Sequence, residues 1–397
     1  MPMHEQSTRY PWHFGLYFIT YYLTTSVYNN FMGVYFQSLG LTTGHIAMLM
    51  AAIPMVSIFA QPMWGGLSDR MHSKRLLLCL LAIGSMIVML LFRVSNNFYY
   101  LFAMMALFSA LFPAIQPLGD SIVLEALMEG RRPFGPLRLL GCLGFSISSL
   151  LVGRFLEGRM NWAIYMTAIY LSLLAMSAWA LPNIAGHQRE SEDKVGIFSL
   201  MKDEKLRNLL IFVTLLQITM GYFYSFFSVH FVELPGGTSG LLGMCYLISA
   251  LSEVPFLLFS DRLFEKLGAG KLLCISAAVL TTRWFVLGST GNVWVVMVSQ
   301  VLHGGCFIVL TVALSKYISF TVPEALRSRG QMLLAVLGFG IARMVGSLGG
   351  GALAEAIGIQ RGFFVPSVVA ALALLYFGPK YWRAAPLNGH NDAWEGK

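Results

Sequence analysis

Apolar runs long enough to cross a membrane make up most of the chain, and short polar segments separate them. A bilayer core about 30 Å thick requires about 20 apolar residues per helix. The runs show no period-two alternation, which favours helices over a barrel, and only these two structures satisfy the backbone in lipid. The pattern predicts twelve membrane-spanning helices, near residues 12–36, 45–67, 76–93, 98–128, 138–155, 162–181, 208–232, 239–260, 271–289, 292–316, 330–354 and 361–382.

Composition agrees with this pattern. Of the 397 residues, 56% are hydrophobic and only 12% are charged, about half the charged fraction of a typical soluble protein. No Asp, Glu, Lys or Arg occurs in the 59 residues from Tyr10 to Ser68, which leaves room for two crossings. The first apolar run lacks a signal-peptide cleavage pattern, so we expect it to remain as span 1. The expected class is an all-α integral membrane protein.

The distribution of basic residues predicts the orientation. With both termini in the cytoplasm, cytoplasmic segments hold 21 of the 27 Lys and Arg residues, external segments hold four, and Arg283 and Arg343 lie within spans. This asymmetry satisfies the positive-inside rule, and a cell (inner) membrane location is expected. The same bias explains the net charge of +8, so no nucleic-acid partner is inferred. The five cysteines lie in apolar runs and are expected to be free thiols.

The only long polar stretch, residues 182–207, divides the spans six and six. It predicts an N-terminal six-helix bundle over 1–181, a cytoplasmic linker, and a C-terminal bundle with a short tail over 208–397. Two tripeptides recur across the linker: Ser-Asp-Arg at 68–70 and 260–262, and Leu-Gly-Phe at 143–145 and 337–339. Their offsets of 192 and 194 residues fit the repeated halves of a secondary transporter.

The segment QPMWGGLSDRMHSKR, residues 61–75, resembles the signature of the major facilitator superfamily between spans 2 and 3. His72 replaces the second glycine of that signature. A carboxylate and basic residues at such a turn can form a breakable ion-pair gate between the halves, whereas the simpler alternative is positive-inside charge alone. The matching residues are Gly65, Asp69, Arg70, Lys74 and Arg75.

Further similarity is to the lactose-permease and phenylpropionate-permease branch. The segment FGPLRLLGCLGF, residues 134–145, resembles the span-5 motif of that branch. The resemblance implies that Arg138 and Asp120 bind substrate and that Phe145 takes the place of a sugar-stacking tryptophan. It also implies embedded charged or histidine positions at Glu253, Arg283, His303 and Arg343. The chain departs from lactose permease at Cys306, where that permease has its proton-carrying glutamate, and in span 7, which has no carboxylate.

The depth of three ionisable residues explains why charge occurs within apolar runs. At 1.5 Å per residue, Arg283 lies about 18 Å beyond Lys271, and His303 lies about 16 Å beyond Asn292. Glu253 lies about 12 Å before Asp261, so all three fall in one central layer. An isolated charge there costs at least about 2.5–3.5 kcal/mol, so each is expected to face a partner or water.

A cluster of Glu253, Arg283 and His303 is suited to proton coupling, because histidine titrates near neutral pH and a guanidinium alters the proton affinity of a carboxylate. Arg343, about 21 Å beyond Arg329, is expected to join the same cavity, although its partner is not evident. The alternatives are a static Glu253–Arg283 salt bridge that joins helices 8 and 9, and a His303 that is hydrogen-bonded to a helix backbone.

A second pair, Asp120 and Arg138, could hold a polyol or a carboxylated ligand, because a guanidinium donates in a planar fork and a carboxylate accepts from hydroxyls. Pro113 and Pro117 are expected to bend span 4 and bring the pair together. Alternatively, Arg138 belongs to the positive-inside belt. In span 1, Asn29 and Asn30 are further substrate-binding candidates.

These observations favour a monomeric secondary active transporter that imports a small organic solute, such as a sugar, an oligosaccharide or an aromatic acid, together with protons. The alternative is a drug or metabolite–proton antiporter. A transport-derived sensor or a membrane enzyme is the third class, but the longest loop, at 26 residues, is too short for a soluble output domain. The chain has no ATPase motif and no Cys/His metal spacing, so no cofactor or metal is expected. The expected partners are the solute, protons and membrane lipid.

Overall fold

A computed structural model describes residues 12–129, 134–186, 204–306, 310, 314, 318 and 327–382, and throughout this part of the chain the regular secondary structure is helical. The predicted all-helical membrane architecture is confirmed. The membrane-length helices, with α10 given only as far as its continuous described part, are α1 (Trp12–Ser38), α2 (Thr43–Arg70), α3 (Lys74–Leu91), α4 (Phe98–Met128), α5 (Gly135–Phe155), α6 (Trp162–Trp179), α7 (Glu204–Glu233), α8 (Ser239–Leu258), α9 (Ser260–Ser289), α10 (Val293–Cys306), α11 (Arg327–Ile357) and α12 (Ile359–Trp382).

Ten of these helices are both long enough and apolar enough to cross a membrane. The other two are α1 and α10. Helix α1 has 27 residues, a rise of about 40 Å, but its tyrosines, threonines and asparagines lower its apolarity. Helix α10 is described continuously only to Cys306. Capping side chains fix several helix starts, as where Ser73 accepts from the Leu76 N–H and Asn292 from the Trp294 N–H.

The two halves repeat one packing arrangement. In the first half α1 packs on α5 and α6, α3 on α6, and α2 on α4; in the second, α7 packs on α11 and α12, α9 on α12, and α8 on α10. Two hydroxyl pairs repeat as well. The Ser26 and Ser148 hydroxyls lie 2.7 Å apart between α1 and α5, and those of Ser225 and Ser347 lie 2.7 Å apart between α7 and α11. Both members of the pair are shifted by 199 residues, so the Leu-Gly-Phe tripeptides, 194 residues apart, are not at equivalent positions.

The side of the bundle where α1 begins and α12 ends is called the terminus side, and the opposite side is called the far side. The halves meet through α5 with α8, α2 with α11, and α1 with α7. On the far side, Gln37 donates to the Glu233 carboxylate at 2.5 Å, and the Gly44 N–H donates to Glu355 at 2.9 Å. A side chain at Gly243 would collide with the backbone of Ser149, so α5 and α8 are also in close contact there. The far side is therefore closed.

On the terminus side most residues at the end of α2 are exposed. From Gln61 to Leu67 every residue except Trp64 is exposed, which is more than one face of a helix. Lipid can cover only one face of this part of α2, so the rest of its exposed surface is expected to border a water-filled space. The described helices of the second half therefore leave this end of α2 uncovered, as expected if the space between the halves opens to the terminus side.

Three irregular segments interrupt the helices near the centre of the bundle. A 3₁₀ turn at Phe112–Ala114 contains Pro113 and interrupts the α geometry of α4, whereas the helix continues through Pro117. A second 3₁₀ turn, Gln300–Leu302, interrupts α10 seven residues after its start at Val293. A π-helical segment, Ala335–Ile341, begins two turns into α11. Such departures from α geometry are common at functional sites.

Two loop predictions can be compared with the structure. Helix α7 is already helical at Glu204, so the last four residues of the predicted 182–207 linker belong to a helix. Residues 187–203 lie outside the described part. The segment between predicted spans 8 and 9, residues 261–270, is also helical apart from a kink at Gly268, which has φ 72° and ψ 162°, a conformation that costs little only for glycine.

Candidate functional site

Arg283 is fully buried in α9 and lies between two polar side chains of α10. Its Nη1 is 2.8 Å from Nδ1 of His303, and its Nη2 donates to Oε1 of Gln300 at 2.6 Å. The Phe223 ring of α7 covers the guanidinium, with 4.3 Å between the Arg283 Cζ and the ring centroid. The Trp284 ring lies 5.2 Å from the same Cζ, so the buried charge is stabilised by two hydrogen bonds and two cation–π contacts.

His303 connects this arginine to Glu253 of α8. Its Nε2 lies 3.3 Å from Oε1 of Glu253, and the two side chains are 10% and 16% exposed. Within the described residues, Glu253 and Arg283 form no direct ion pair. The static Glu253–Arg283 bridge considered from the sequence is therefore absent, because the imidazole occupies the space between them. We call Glu253, His303, Arg283 and Gln300 the acid–base row.

Arg343 lies outside this row. Its Nε donates to Oε1 of Gln217 on α7 at 3.2 Å, and its Cζ lies 4.8 Å from the Tyr224 ring centroid and 5.0 Å from that of Phe339. Gln217 is buried, so Arg343 has the partner that the sequence did not reveal. Tyr224 lies within electrostatic range of Glu253, Arg283 and Arg343, and so connects the two arginine sites.

In the first half, Asp120 and Arg138 lie within electrostatic range of each other. They do not form an ion pair within 4.0 Å in the described structure. The Tyr22 hydroxyl lies beside the guanidinium, which is exposed. A fork of donors and a carboxylate acceptor therefore lie near each other without being paired directly.

Neighbouring polar groups extend this site toward α1 and the bend in α4. The Tyr21 hydroxyl donates to Oε1 of Gln116 at 3.1 Å, and Gln116 lies three residues after Pro113, where the α-helix has resumed. Both Tyr21 and Tyr22 lie within electrostatic range of Asp120. We call Tyr21, Tyr22, Gln116, Asp120 and Arg138 the tyrosine cluster.

The remaining substrate candidates have different surroundings. Asn30 is buried and its amide donates to the Ser149 hydroxyl at 2.9 Å, so it holds α1 against α5. Asn29 is exposed, and Phe145 is half-buried on α5. Asn30 is therefore the one least able to reach a ligand in this conformation.

The tyrosine cluster and the acid–base row approach each other where α5 packs on α8. Cys142 of α5 lies within electrostatic range of Arg138, one turn before it, and of Glu253 on α8. Cys142 is half-buried, as is Glu253. A group held by Arg138 would thus lie close to the carboxylate in the other half.

The residues of the signature segment, 61–75, have two kinds of surroundings: some make contacts within the first half, and others are exposed. Lys74 is buried and its Nζ lies 2.9 Å from the Glu125 carboxylate. Arg75 donates to the carbonyls of Trp179 and Leu181, and so joins α3 to the end of α6. Gly65, Asp69 and Arg70 are exposed at the open side, with no hydrogen bond or ion pair to another described residue for either charged side chain.

No group of three His, Cys, Asp or Glu residues within the described ranges could hold a metal ion. The polar residues that sequence reasoning missed are Gln116, Gln217, Gln300, Tyr21 and Tyr22. For the three glutamines the signal in the sequence is an amide in an otherwise apolar run, and for the two tyrosines it is a hydroxyl; neither distinguishes a buried partner from an interfacial residue.

The described helices repeat one packing arrangement in two halves around embedded charged residues, which is the architecture of a transporter of the major facilitator fold. The chain matches the MFS_1-like family over residues 11–365 and belongs to it. It is similar to the maltose permease of Geobacillus stearothermophilus, with 28% identity covering 91% of this chain and 93% of the relative. The "Probable 3-phenylpropionic acid transporter" of Escherichia coli is 25% identical, covering 94% and 98%.

Among solved structures, the nucleoside transporter NupG superposes with a TM-score of 0.85 and 16% identity, covering 93% of this chain and 98% of that one. At this identity the likeness supports the fold alone. The family and the relatives are transporters and not enzymes, as the sequence predicted.

Proposed function

We propose that this protein imports a small organic solute together with a proton by alternating access. The observation that carries the proposal is the acid–base row, which links a carboxylate to a histidine and a buried arginine through hydrogen bonds of 3.3 Å and 2.8 Å. Ionisable groups inside a membrane are rare and usually mark ion or substrate pathways. Glu253 is the proton site in this proposal.

The tyrosine cluster is the proposed solute site. Arg138 presents donors, Asp120 presents acceptors, and Tyr21, Tyr22 and Phe145 offer aromatic surfaces, as suits a sugar ring or an aromatic acid. The printed substrates of the two similar relatives, maltose and 3-phenylpropionic acid, belong to these two classes. Asn29 is retained as a secondary candidate because it is exposed on α1.

Coupling follows from the contact between the two sites. Solute bound at Arg138 approaches Glu253 through the α5–α8 interface, where Cys142 lies between them. Protonation of Glu253 neutralises a buried negative charge beside the solute site. The free energy needed for the two halves to move around the ligand is then lower, because no unpaired charge has to be desolvated. Arg343 supports the second half through Gln217, and the exposed Asp69 and Arg70 form interhalf contacts when the terminus side closes.

The terminus side is proposed to face the cytoplasm of a monomeric cell-membrane protein, with 182–207 as the cytoplasmic connection between the bundles. The 21-to-4 distribution of basic residues supports this orientation. A membrane-impermeant maleimide should label Asn96→Cys in intact cells and Ser191→Cys only after permeabilisation. The reverse labelling would invert the topology.

Uptake into inside-acid and inside-alkaline vesicles tests the function itself. Maltose and 3-phenylpropionate are the first probes, followed by nucleosides. We expect at least one solute to accumulate when the external side is acidic and not when the gradient is dissipated. Accumulation driven only in the opposite direction would identify the drug or metabolite–proton antiporter instead.

A further inference from the structure

Gln300 lies in the 3₁₀ turn of α10, and each polar atom of its buried side chain has a partner. Its Oε1 accepts from Arg283 at 2.6 Å and from the Ser249 hydroxyl at 3.5 Å. Its Nε2 donates to the Val296 carbonyl at 2.9 Å and to the Ser299 hydroxyl at 3.3 Å. Since a guanidinium only donates and a carbonyl only accepts, these partners fit one orientation of the amide and not the flipped one.

The fixed amide determines the direction of the neighbouring hydrogen bonds. With Nη2 of Arg283 donating to Gln300, Nη1 points at Nδ1 of His303 from 2.8 Å. Arginine stays protonated in proteins and has no acceptor, so Nδ1 must accept. The proton of a neutral His303 is then on Nε2, which donates to Glu253 at 3.3 Å.

We propose that Gln300 is a positioning residue that, through Arg283, holds His303 as the neutral Nε2–H tautomer, so that the transported proton binds to Glu253 and not to His303. This inference rests on the proposed function and deepens it. A second proton on His303 would have to enter at Nδ1, where it would face an N–H of the guanidinium.

The other groups around the imidazole are consistent with this role. The neighbours of the imidazole include Glu253 from α8, Arg283 from α9 and the Phe223 ring from α7, while Tyr224 and Cys306 lie within electrostatic range of Arg283. Of these, only Glu253 is a carboxylate, so it is the acceptor for an incoming proton.

The proton step is simple. One proton from the open space forms an O–H bond with a carboxylate oxygen of Glu253, and His303 keeps its single Nε2 proton. The His303–Glu253 contact changes from a charge-assisted hydrogen bond to a neutral one, which is about half as strong. Protonation of Glu253 therefore loosens the connection between α8 and α10.

Nitrogen-15 NMR of the full-length protein, labelled at its eight histidines, tests this directly. The signals of His303 are assigned by their loss in His303→Gln. We expect one neutral tautomer with a protonated Nε2 and a bare Nδ1, constant from about pH 6 to about pH 8, the range in which free histidine titrates. A protonated Nδ1 at neutral pH in the wild type overturns the inference, even if no variant folds.

Gln300→Met keeps the length of the side chain and removes its acceptor, which frees Arg283. We expect its His303 signals to titrate or to show both tautomers, and the pH profile of uptake to change, with accumulation reduced about tenfold. Ser249→Ala is the matched control, because it removes only the longer contact to the same oxygen and should leave the tautomer unchanged. Gln300→Glu, which keeps an oxygen for Arg283, should restore the single tautomer.

If Gln300→Met keeps a single, non-titrating Nε2–H tautomer, Gln300 does not position the row and the inference fails. Failure of the proposed function looks different: the wild type would show the expected NMR tautomer but no uptake driven by a pH gradient.

Discussion

Lys74 and Glu125 form an ion pair of 2.9 Å that ties the first turn of α3 to the terminus-side end of α4, with the lysine side chain 7% exposed and the glutamate 32%. Replacing Lys74 with Met removes the counter-charge from a partly buried carboxylate. We expect a loss of stability of about 1–3 kcal/mol, measured by thermal unfolding in detergent.

The chain contains a matched control for this pair. Lys380 and Glu204 lie 3.5 Å apart with both side chains mostly exposed, so Lys380→Met should leave the unfolding midpoint nearly unchanged. Equal effects of the two substitutions would show that burial of Lys74 contributes nothing.

The closed far side depends on a glycine in α8. A Cβ at Gly243 would lie 2.2 Å from the Ser149 carbonyl oxygen of α5, so Gly243→Ala should push the halves apart there. We expect external, impermeant thiol reagents to label Cys142 several-fold faster in this variant. Gly349→Ala, where a Cβ meets nothing within 4 Å, is the control. Unchanged labelling of Cys142 would mean that this contact does not hold the far side closed.

Arg138→Lys tests the proposed solute site. An ammonium group cannot reproduce the planar fork of a guanidinium, so the affinity for whichever of maltose and 3-phenylpropionate is transported should fall about tenfold or more. Asp120→Asn should weaken binding similarly. Arg361→Lys, an exposed arginine on the far side, should bind normally. Normal binding by both site variants would place the solute elsewhere.

The sequence was sufficient to predict the helical fold and the depth of the charged residues. The rise per residue along the helices predicted that Arg283, His303 and Glu253 lie in one layer. In the structure His303 is hydrogen-bonded to both of the other residues. Depth does not determine rotation about a helix axis, however. The sequence therefore could not show that His303 separates the other two residues.

The main feature that the sequence did not predict is the set of uncharged polar side chains that contact the embedded arginines. Gln300 and Gln217 hold the two embedded arginines, but an amide in an apolar run does not show which residue on another helix it contacts. Asn30 illustrates the converse, because its bond to Ser149 packs two helices together. The helical breaks at residues 300–302 and 335–341 are a further reason, since they rotate nearby side chains away from ideal α positions.

The most direct test of the account is transport by Glu253→Gln in vesicles with an imposed pH gradient. Glutamine keeps the shape and can still accept from His303, but it cannot bind the proton. We predict that the variant no longer accumulates the solute against its gradient, while counterflow, which exchanges solute without net proton movement, continues at a rate near that of the wild type. Gradient-driven accumulation by Glu253→Gln equal to that of the wild type would contradict the assignment of Glu253 as the proton site.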